Sequence, residues 1–256
     1  MRFGVCGPVS LLETAKRTGF DYLEMQVTAV ASGSEAEFEA NCKKIQEVGL
    51  ECRCFNVLFP GDIALIGDQA DASRRDLYLH KAFARLQKLG GEIVVFGSGR
   101  ARKKPEGLSF FEAYRQLVEV TYAIGTIAAQ YGLTIVIEPL NRTECDLINS
   151  MAEGAQLVSD VDLENVRLLS DFYHVATDHE PISDITRIGA FSHIHVASRH
   201  ARRYPLPGQP DDYKQYFHRL KDIGYQGRIS VEGGAEDIEA EGRLSLAYLR
   251  KIWEEA

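Results

Sequence analysis

The chain has 256 residues, 45% hydrophobic and 26% charged, with a formal net charge of −8. That acidity argues against non-specific binding to phosphate backbones, so nucleic acid is not an expected partner. No run approaches the roughly 18 uncharged apolar residues of a membrane helix, and Met1-Arg2-Phe3-Gly4-Val5 turns strand-like too early for a signal peptide. A cytoplasmic protein with reduced thiols is expected: the five cysteines are an odd number, and Cys52 and Cys54 fit no common zinc spacing. Asn141-Arg142-Thr143 reads as a chance glycosylation sequon.

In chain order, short apolar runs alternate with longer amphipathic ones. Strands are predicted at Phe3–Cys6, Tyr22–Val27, Glu51–Val57, Glu92–Phe96, Thr134–Glu138, Arg167–Asp171, His193–Ala197 and Arg228–Glu232. Helical patterns lie between them at Leu11–Thr18, Glu35–Val48, Ser73–Leu89, Phe110–Gln130, Ala152–Val161, Tyr213–Ile223 and Gly242–Glu254. Phe110, Tyr114, Leu117, Val120, Ile124 and Ile127 form one apolar face at three-to-four spacing. Gly19, Gly49, Gly90, Gly132 and Gly224 stop helices ahead of strands.

Eight strand–helix units without a Pro/Ser-rich linker predict a single (β/α)8 TIM barrel over residues 1–256. A doubly wound open sheet is the competitor. It would carry a G-x-G-x-x-G fingerprint after the first strand, where Gly4-Val5-Cys6-Gly7-Pro8 stands instead, and Gly97-Ser98-Gly99 reads as a tight turn. In the barrel, the active site belongs at the C-terminal ends of the strands.

Those ends are unusual. The last four strands close on Glu138, Asp171, His195 and Glu232, four metal-capable side chains in succession. His193 and His195 share one side of their strand; His195 is nearer the mouth and is the expected ligand, with His193 buried below it. Three carboxylates and one imidazole suit Mn²⁺, Mg²⁺ or Co²⁺ with open water positions better than a closed zinc site.

Glu138-Pro139-Leu140-Asn141-Arg142-Thr143-Glu144, Asp171-Phe172-Tyr173-His174, His193-Ile194-His195 and Val231-Glu232-Gly233 resemble the xylose-isomerase-like sugar isomerase/epimerase superfamily. Within it the chain is most similar to the D-tagatose/D-psicose 3-epimerases and the epimerases of 3-keto-sugars. The resemblance implies one divalent metal, Mn²⁺ first, held by Glu138, Asp171, His195 and Glu232. It also implies substrate contacts from Glu144, His174 and an arginine after the His-x-His strand. Arg202 is the preferred arginine, with Arg199 and Arg203 as alternatives, because Ser198 stands where the family has an acidic residue. A small sugar or keto-sugar is the implied partner, and homo-oligomerisation stays open.

The expected chemistry is proton transfer beside a carbonyl, with Glu138 and Glu232 as acid and base and an enediolate stabilised by His174 and the arginine. Epimerisation and aldose–ketose isomerisation use the same parts. A metal-dependent lyase or dehydratase on a keto-sugar or keto-acid is the alternative; a DNA-repair nuclease and a non-catalytic sugar-binding barrel are weaker rivals. Glu24 is open between a sugar-hydroxyl ligand and a plain barrel-mouth carboxylate, and Phe59, Phe172 and Tyr204 default to packing. Arg100, Arg102, Lys103 and Lys104, with Arg199, Arg202 and Arg203, are read as a solvated basic face or as contacts for an anionic substrate.

Overall fold

Each apolar run pairs in parallel with the next, in a computed structural model that describes residues 1–256. The strands are β1 (Arg2–Cys6), β2 (Tyr22–Gln26), β3 (Cys54–Asn56), β4 (Ile93–Phe96), β5 (Thr134–Ile137), β6 (Val166–Asp171), β7 (His193–Val196) and β8 (Arg228–Val231). Their order is sequential and β8 pairs with β1, so the sheet closes into an eight-stranded barrel. Closure leaves no sheet edge and turns all eight C-terminal ends toward one mouth.

The outer ring is α1 (Leu12–Thr18), α2 (Val27–Ser32), α3 (Glu35–Val48), α4 (Ala72–Lys88), α5 (Phe110–Ala129), α6 (Met151–Val161), α7 (Phe172–Thr177), α8 (Asp184–Ile188), α9 (Tyr213–Asp222) and α10 (Ile238–Glu255). The stripe predicted on α5 splits: Leu117, Val120, Ile124 and Ile127 are buried, whereas Phe110 is 54% exposed at the first turn. The five predicted helix-stopping glycines all take positive φ, the left-handed conformation that ends a helix with little steric cost.

Two differences from the sequence reading have physical causes. The third strand is only Cys54–Asn56: it ends before Val57, whose φ of 48° turns the chain away from the sheet, and ahead of it Glu51 pairs with Tyr22 only as an isolated bridge. The short helices α2, α7 and α8 escaped the periodicity because five or six residues make too little of an apolar stripe. Helix α7 begins directly at the strand-end aspartate, whose carboxylate accepts from the Tyr173 N–H at 2.9 Å.

Leu117 is fully buried under α5 while Arg115 on the same helix faces solvent. Leu117→Ala is expected to lower the unfolding free energy by about 2–5 kcal/mol, and Arg115→Ala to leave the urea midpoint nearly unchanged. Equal midpoints for the two variants would contradict this packing.

Candidate active site

The parallel register sets Asp171 of β6 beside His195 of β7, and His195 beside Ser230 of β8. Glu138 and Glu232 follow the last paired residues of β5 and β8. The ligand atoms of Glu138, Asp171, His195 and Glu232 thereby lie within 4.8 Å of one another. His195 Nδ1 is 3.2 Å from Glu138 Oε1 and 3.1 Å from Glu232 Oε2, so its ring points into the group of carboxylates.

What aims that ring is Glu24, fully buried in the middle of β2. His195 Nε2 donates to Glu24 Oε1 at 2.9 Å, while His193 Nε2 and Ser230 Oγ donate to Glu24 Oε2 at 2.8 and 2.6 Å. A carboxylate only accepts, so each imidazole keeps its proton on Nε2. His193 is the lower, buried histidine and takes no place among the four clustered side chains. Glu24 faces its own barrel and not a sugar hydroxyl, which corrects one of the two sequence readings. Burial would raise its pKa, but His195 and His193 outweigh burial and hold it well below the usual carboxylate range.

The group is electrostatically crowded. Burial, reinforced by Glu232, raises Glu138. Burial also pushes Asp171 up to about 7, with Glu138 and Glu232 adding to it against Arg202. Glu232 moves the other way, to about 2, because His195 and Arg202 overcome its burial. Burial opposes charging of His195, yet Glu24 and Glu232 carry its pKa well above the ordinary value. The converging carboxylates attract positive charge, which a proton on His195 Nδ1 or a cation in that proton's place supplies, and a hard divalent cation suits this oxygen-rich donor set. The residues fit such an ion.

On the β5–β6 side, His174 is buried at 4% exposure. Its Nδ1 accepts from the Asn141 backbone N–H at 3.1 Å and lies 2.8 Å from Asn141 Nδ2. The proton therefore sits on Nε2, which points toward Asp171 Oδ2 at 3.6 Å and has no hydrogen-bond partner. Burial, then Arg202, lowers its pKa to about 3, so the ring is a neutral donor at ordinary pH. Asn141 Nδ2 also donates to Glu144 Oε1 at 2.8 Å, giving one amide control of both side chains. Asn141 is fully buried, in keeping with the sequon's reading as chance.

From the β7 loop, Arg202 donates to Glu232 Oε2 at 2.5 Å and Asp171 Oδ2 at 3.2 Å, comes within 3.5 Å of Glu144 Oε2, and lies 4.7 Å from the Tyr173 ring centre. Arg203 turns away to Glu236 and Glu241, and Arg199 lines a separate cavity beside α7. The loop can close over β8 because Gly233 has no side chain: a Cβ there would stand 2.7 Å from the Arg202 carbonyl oxygen.

The broader basic-face reading needs correction. Arg102 is fully buried and donates to the Glu138 carbonyl at 2.8 Å, tying the β4 loop to the end of β5. Lys104 donates to the Leu108 carbonyl and Arg203 is ion-paired, which leaves Arg100 and Lys103 exposed and Arg199 half-buried without an ion pair. Phe59, Phe172 and Tyr204 are buried packing residues. Residue patterning missed Asn141, Gly97 and Asn56. A Cβ on Gly97 would lie 2.1 Å from Glu138 Oε2, and Asn56 Nδ2 donates to Glu232 Oε1 at 2.9 Å. Neither Gly97 in a turn nor Asn56 after two apolar residues carries a signal separable from ordinary structure.

A family model described as xylose isomerase-like TIM barrel matches residues 12–252. D-psicose 3-epimerase of Agrobacterium fabrum (strain C58 / ATCC 33970) is 31% identical over 86% of this chain and 77% of its own length. The 3-dehydro-D-guloside 4-epimerase of Escherichia coli (strain K12) is 32% identical, over 48% of each protein, so the match spans about half of that relative. A crystal structure of D-psicose 3-epimerase in the presence of D-fructose superposes with a TM-score of 0.87 at 20% identity, covering 99% of both chains. At that identity the superposition speaks for the fold.

Two substitutions separate geometry from folding. Glu24→Gln can accept from only one of its two imidazoles at a time, so Mn²⁺ affinity by titration calorimetry should fall by about 10–100-fold. Gly97→Ala should displace the Glu138 carboxylate and cut turnover while leaving the circular dichroism spectrum intact. Unchanged Mn²⁺ affinity in the first, or unchanged turnover in the second, would contradict these placements.

Proposed function

Since this chain belongs to the xylose isomerase-like TIM barrel family and is an isomerase, we propose that it is a divalent-metal-dependent epimerase or isomerase of a ketose or keto-sugar, with Mn²⁺ the preferred ion. The observation that carries this reading is the convergence of Glu138, Asp171, His195 and Glu232 at the barrel mouth, with donor atoms within 4.8 Å. Glu138, Asp171, His195 and Glu232 would hold the ion, which as a Lewis acid lowers the cost of charge on substrate oxygen. The relatives' names, among them D-psicose 3-epimerase and 3-dehydro-D-guloside 4-epimerase, support the substrate class. The five cysteines are unpaired, as a reducing cytoplasmic setting would keep them, and no helix is long and apolar enough to cross a membrane.

The chain's own groups account for the proton movements. Glu138 and Glu232 reach the same imidazole nitrogen from β5 and β8, three strands apart around the mouth. One removes the proton from carbon beside the carbonyl, and the other supplies one from the second face, which inverts the centre. Return to the neighbouring carbon moves the carbonyl instead. The unpartnered His174 Nε2–H and the Arg202 guanidinium donate to the oxygen that gains charge. Glu144, held by Asn141, accepts from a substrate hydroxyl.

Glu138→Gln and Glu232→Gln should each lower turnover by about 10²–10⁴, with metal content measured in the same samples. Turnover in D₂O on a panel of ketoses and keto-sugars should place deuterium at the inverted or migrating carbon, and EDTA should abolish it with Mn²⁺ restoring it. Near wild-type turnover in both Gln variants with metal bound would overturn the proton-transfer roles. A dehydrated product in place of an epimer would identify a lyase.

A further inference from the structure

The two carboxylates proposed to carry protons are held unequally. Glu232 is gripped on both oxygens. Its Oε2 faces the cluster, 3.1 Å from His195 Nδ1 and 2.5 Å from the Arg202 guanidinium. Its Oε1 accepts from Asn56 Nδ2 at 2.9 Å. Glu138 has no such second grip: its Oε1 lies 3.2 Å from the same imidazole nitrogen, and its Oε2 stands against the Gly97 backbone without a donor. The terminal torsion of a glutamate is broad and roughly two-fold, so a carboxylate held on one oxygen can still rock. Glu232 cannot.

Asn56 reaches Glu232 from β3, three strands around the mouth from β8. It is the last residue of its strand, in register with Gln26 of β2, and is buried. The chain turns off the sheet immediately after it, at Val57. It is pinned again where the Tyr78 hydroxyl donates to the Leu58 carbonyl at 2.8 Å and the Phe59 N–H donates to Ser98 Oγ at 3.0 Å. The amide therefore sits on a rigid mount. Its orientation is fixed as well, because a carboxylate only accepts and must face Nδ2. That leaves Oδ1 buried with no hydrogen-bond partner. An unpaired buried acceptor destabilises a fold and calls for a reason. Asn56, Glu232 and Arg202 border one cavity of about 370 Å³, so the amide and the carboxylate meet at a wall of the cleft.

We infer that Asn56 is a positioning residue for one half of the reaction: its Nδ2–H fixes Glu232 Oε1 as the oxygen that exchanges a proton with the substrate carbon. This rests on the epimerase reading and assigns one of its steps to a single atom. Arg202 and the cluster occupy Oε2, which leaves Oε1 for the substrate. With two lone pairs, Oε1 accepts from Nδ2 with one and keeps the other for the proton. Oε1 takes the proton from carbon, the electron pair of the broken C–H bond passes to the carbonyl oxygen, and Glu138 delivers a proton to the opposite face. In the reverse direction Glu138 takes the proton and Oε1 gives one. Only the steps at Oε1 depend on Asn56, and the orphaned Oδ1 is the stability lost to that placement.

The test follows solvent deuterium into each member of an epimer pair separately, beginning with D-fructose and D-psicose, which differ at carbon 3, and continuing through a panel of keto-sugars. Glu232→Gln identifies the epimer whose proton faces Glu232. Asn56→Leu keeps the branched shape and removes the amide; it should slow deuterium entry into that same epimer by about 10–100-fold. The other epimer should still exchange through Glu138 at a near wild-type rate, now without inversion. Two readouts lie outside turnover. In Mn²⁺-loaded protein the urea midpoint of Asn56→Leu should equal or exceed that of the wild type, since no orphaned acceptor is buried. Mn²⁺ affinity by calorimetry should stay close to wild type, because Oε2 keeps its arginine, instead of falling by the about 10–100-fold typical when a ligand loses its support. Asn56→Ala repeats the exchange measurement if leucine is too bulky for the strand end. Equal slowing of both epimers, or a midpoint or Mn²⁺ affinity that falls along with exchange, would make Asn56 a structural residue and overturn the inference. Wild-type exchange into both epimers in both variants would overturn it with the epimerase reading intact. No exchange into any substrate by the wild-type protein defeats the functional proposal from which the inference starts.

Discussion

The candidate site depends on one buried carboxylate. Glu24 lies inside the barrel at zero exposure, where an unpaired charge would be prohibitive. Two imidazoles and a serine hydroxyl satisfy it, drawn from β7 and β8, with Tyr22 hydrogen-bonded to the same serine at 2.8 Å. That arrangement ties three strands of the closed sheet into a single polar layer beneath the mouth. Its consequence above is specific: with Nε2 committed to Glu24, His195 can present only Nδ1 to the carboxylates. The orientation proposed for the metal is therefore set from below, by a group outside the four clustered side chains.

The rim of the cleft is organised in two halves of different character. On the β5–β6 side, Asn141 determines which nitrogen of His174 carries the proton and keeps Glu144 within reach, so that half supplies a neutral donor and an acceptor. On the β7–β8 side, Arg202 supplies the positive charge, carried on a loop seated against Gly233. The cluster lies between them, and a planar substrate held there would meet Glu138 and Glu232 from different strands. Proton transfer beside a carbonyl requires that asymmetry, because charge must be stabilised on oxygen while two carboxylates address carbon.

Glycines matter here where atoms approach closely. Gly97 leaves space for the Glu138 carboxylate, and Gly233 leaves space for the Arg202 backbone. Arg102 does related work without facing the cleft: its guanidinium, fully buried, bonds the Glu138 carbonyl and stiffens the strand end that bears the proposed acid or base.

From the sequence alone, the alternation of apolar runs with amphipathic helices determined the barrel, since burying both faces of eight parallel strands leaves few other closed arrangements. Strand periodicity likewise placed Glu138, Asp171, His195 and Glu232 at one mouth and ranked His195 above His193. Local pattern could not say what Glu24, Asn141, Asn56 or Gly97 do, because each acts on a residue 33 to 176 positions away. Nor could it separate Arg202 from Arg199 and Arg203, or show that Arg102 is interior. Such partnerships arise only when the sheet closes and sets the loops against one another, and the tertiary structure alone decides them.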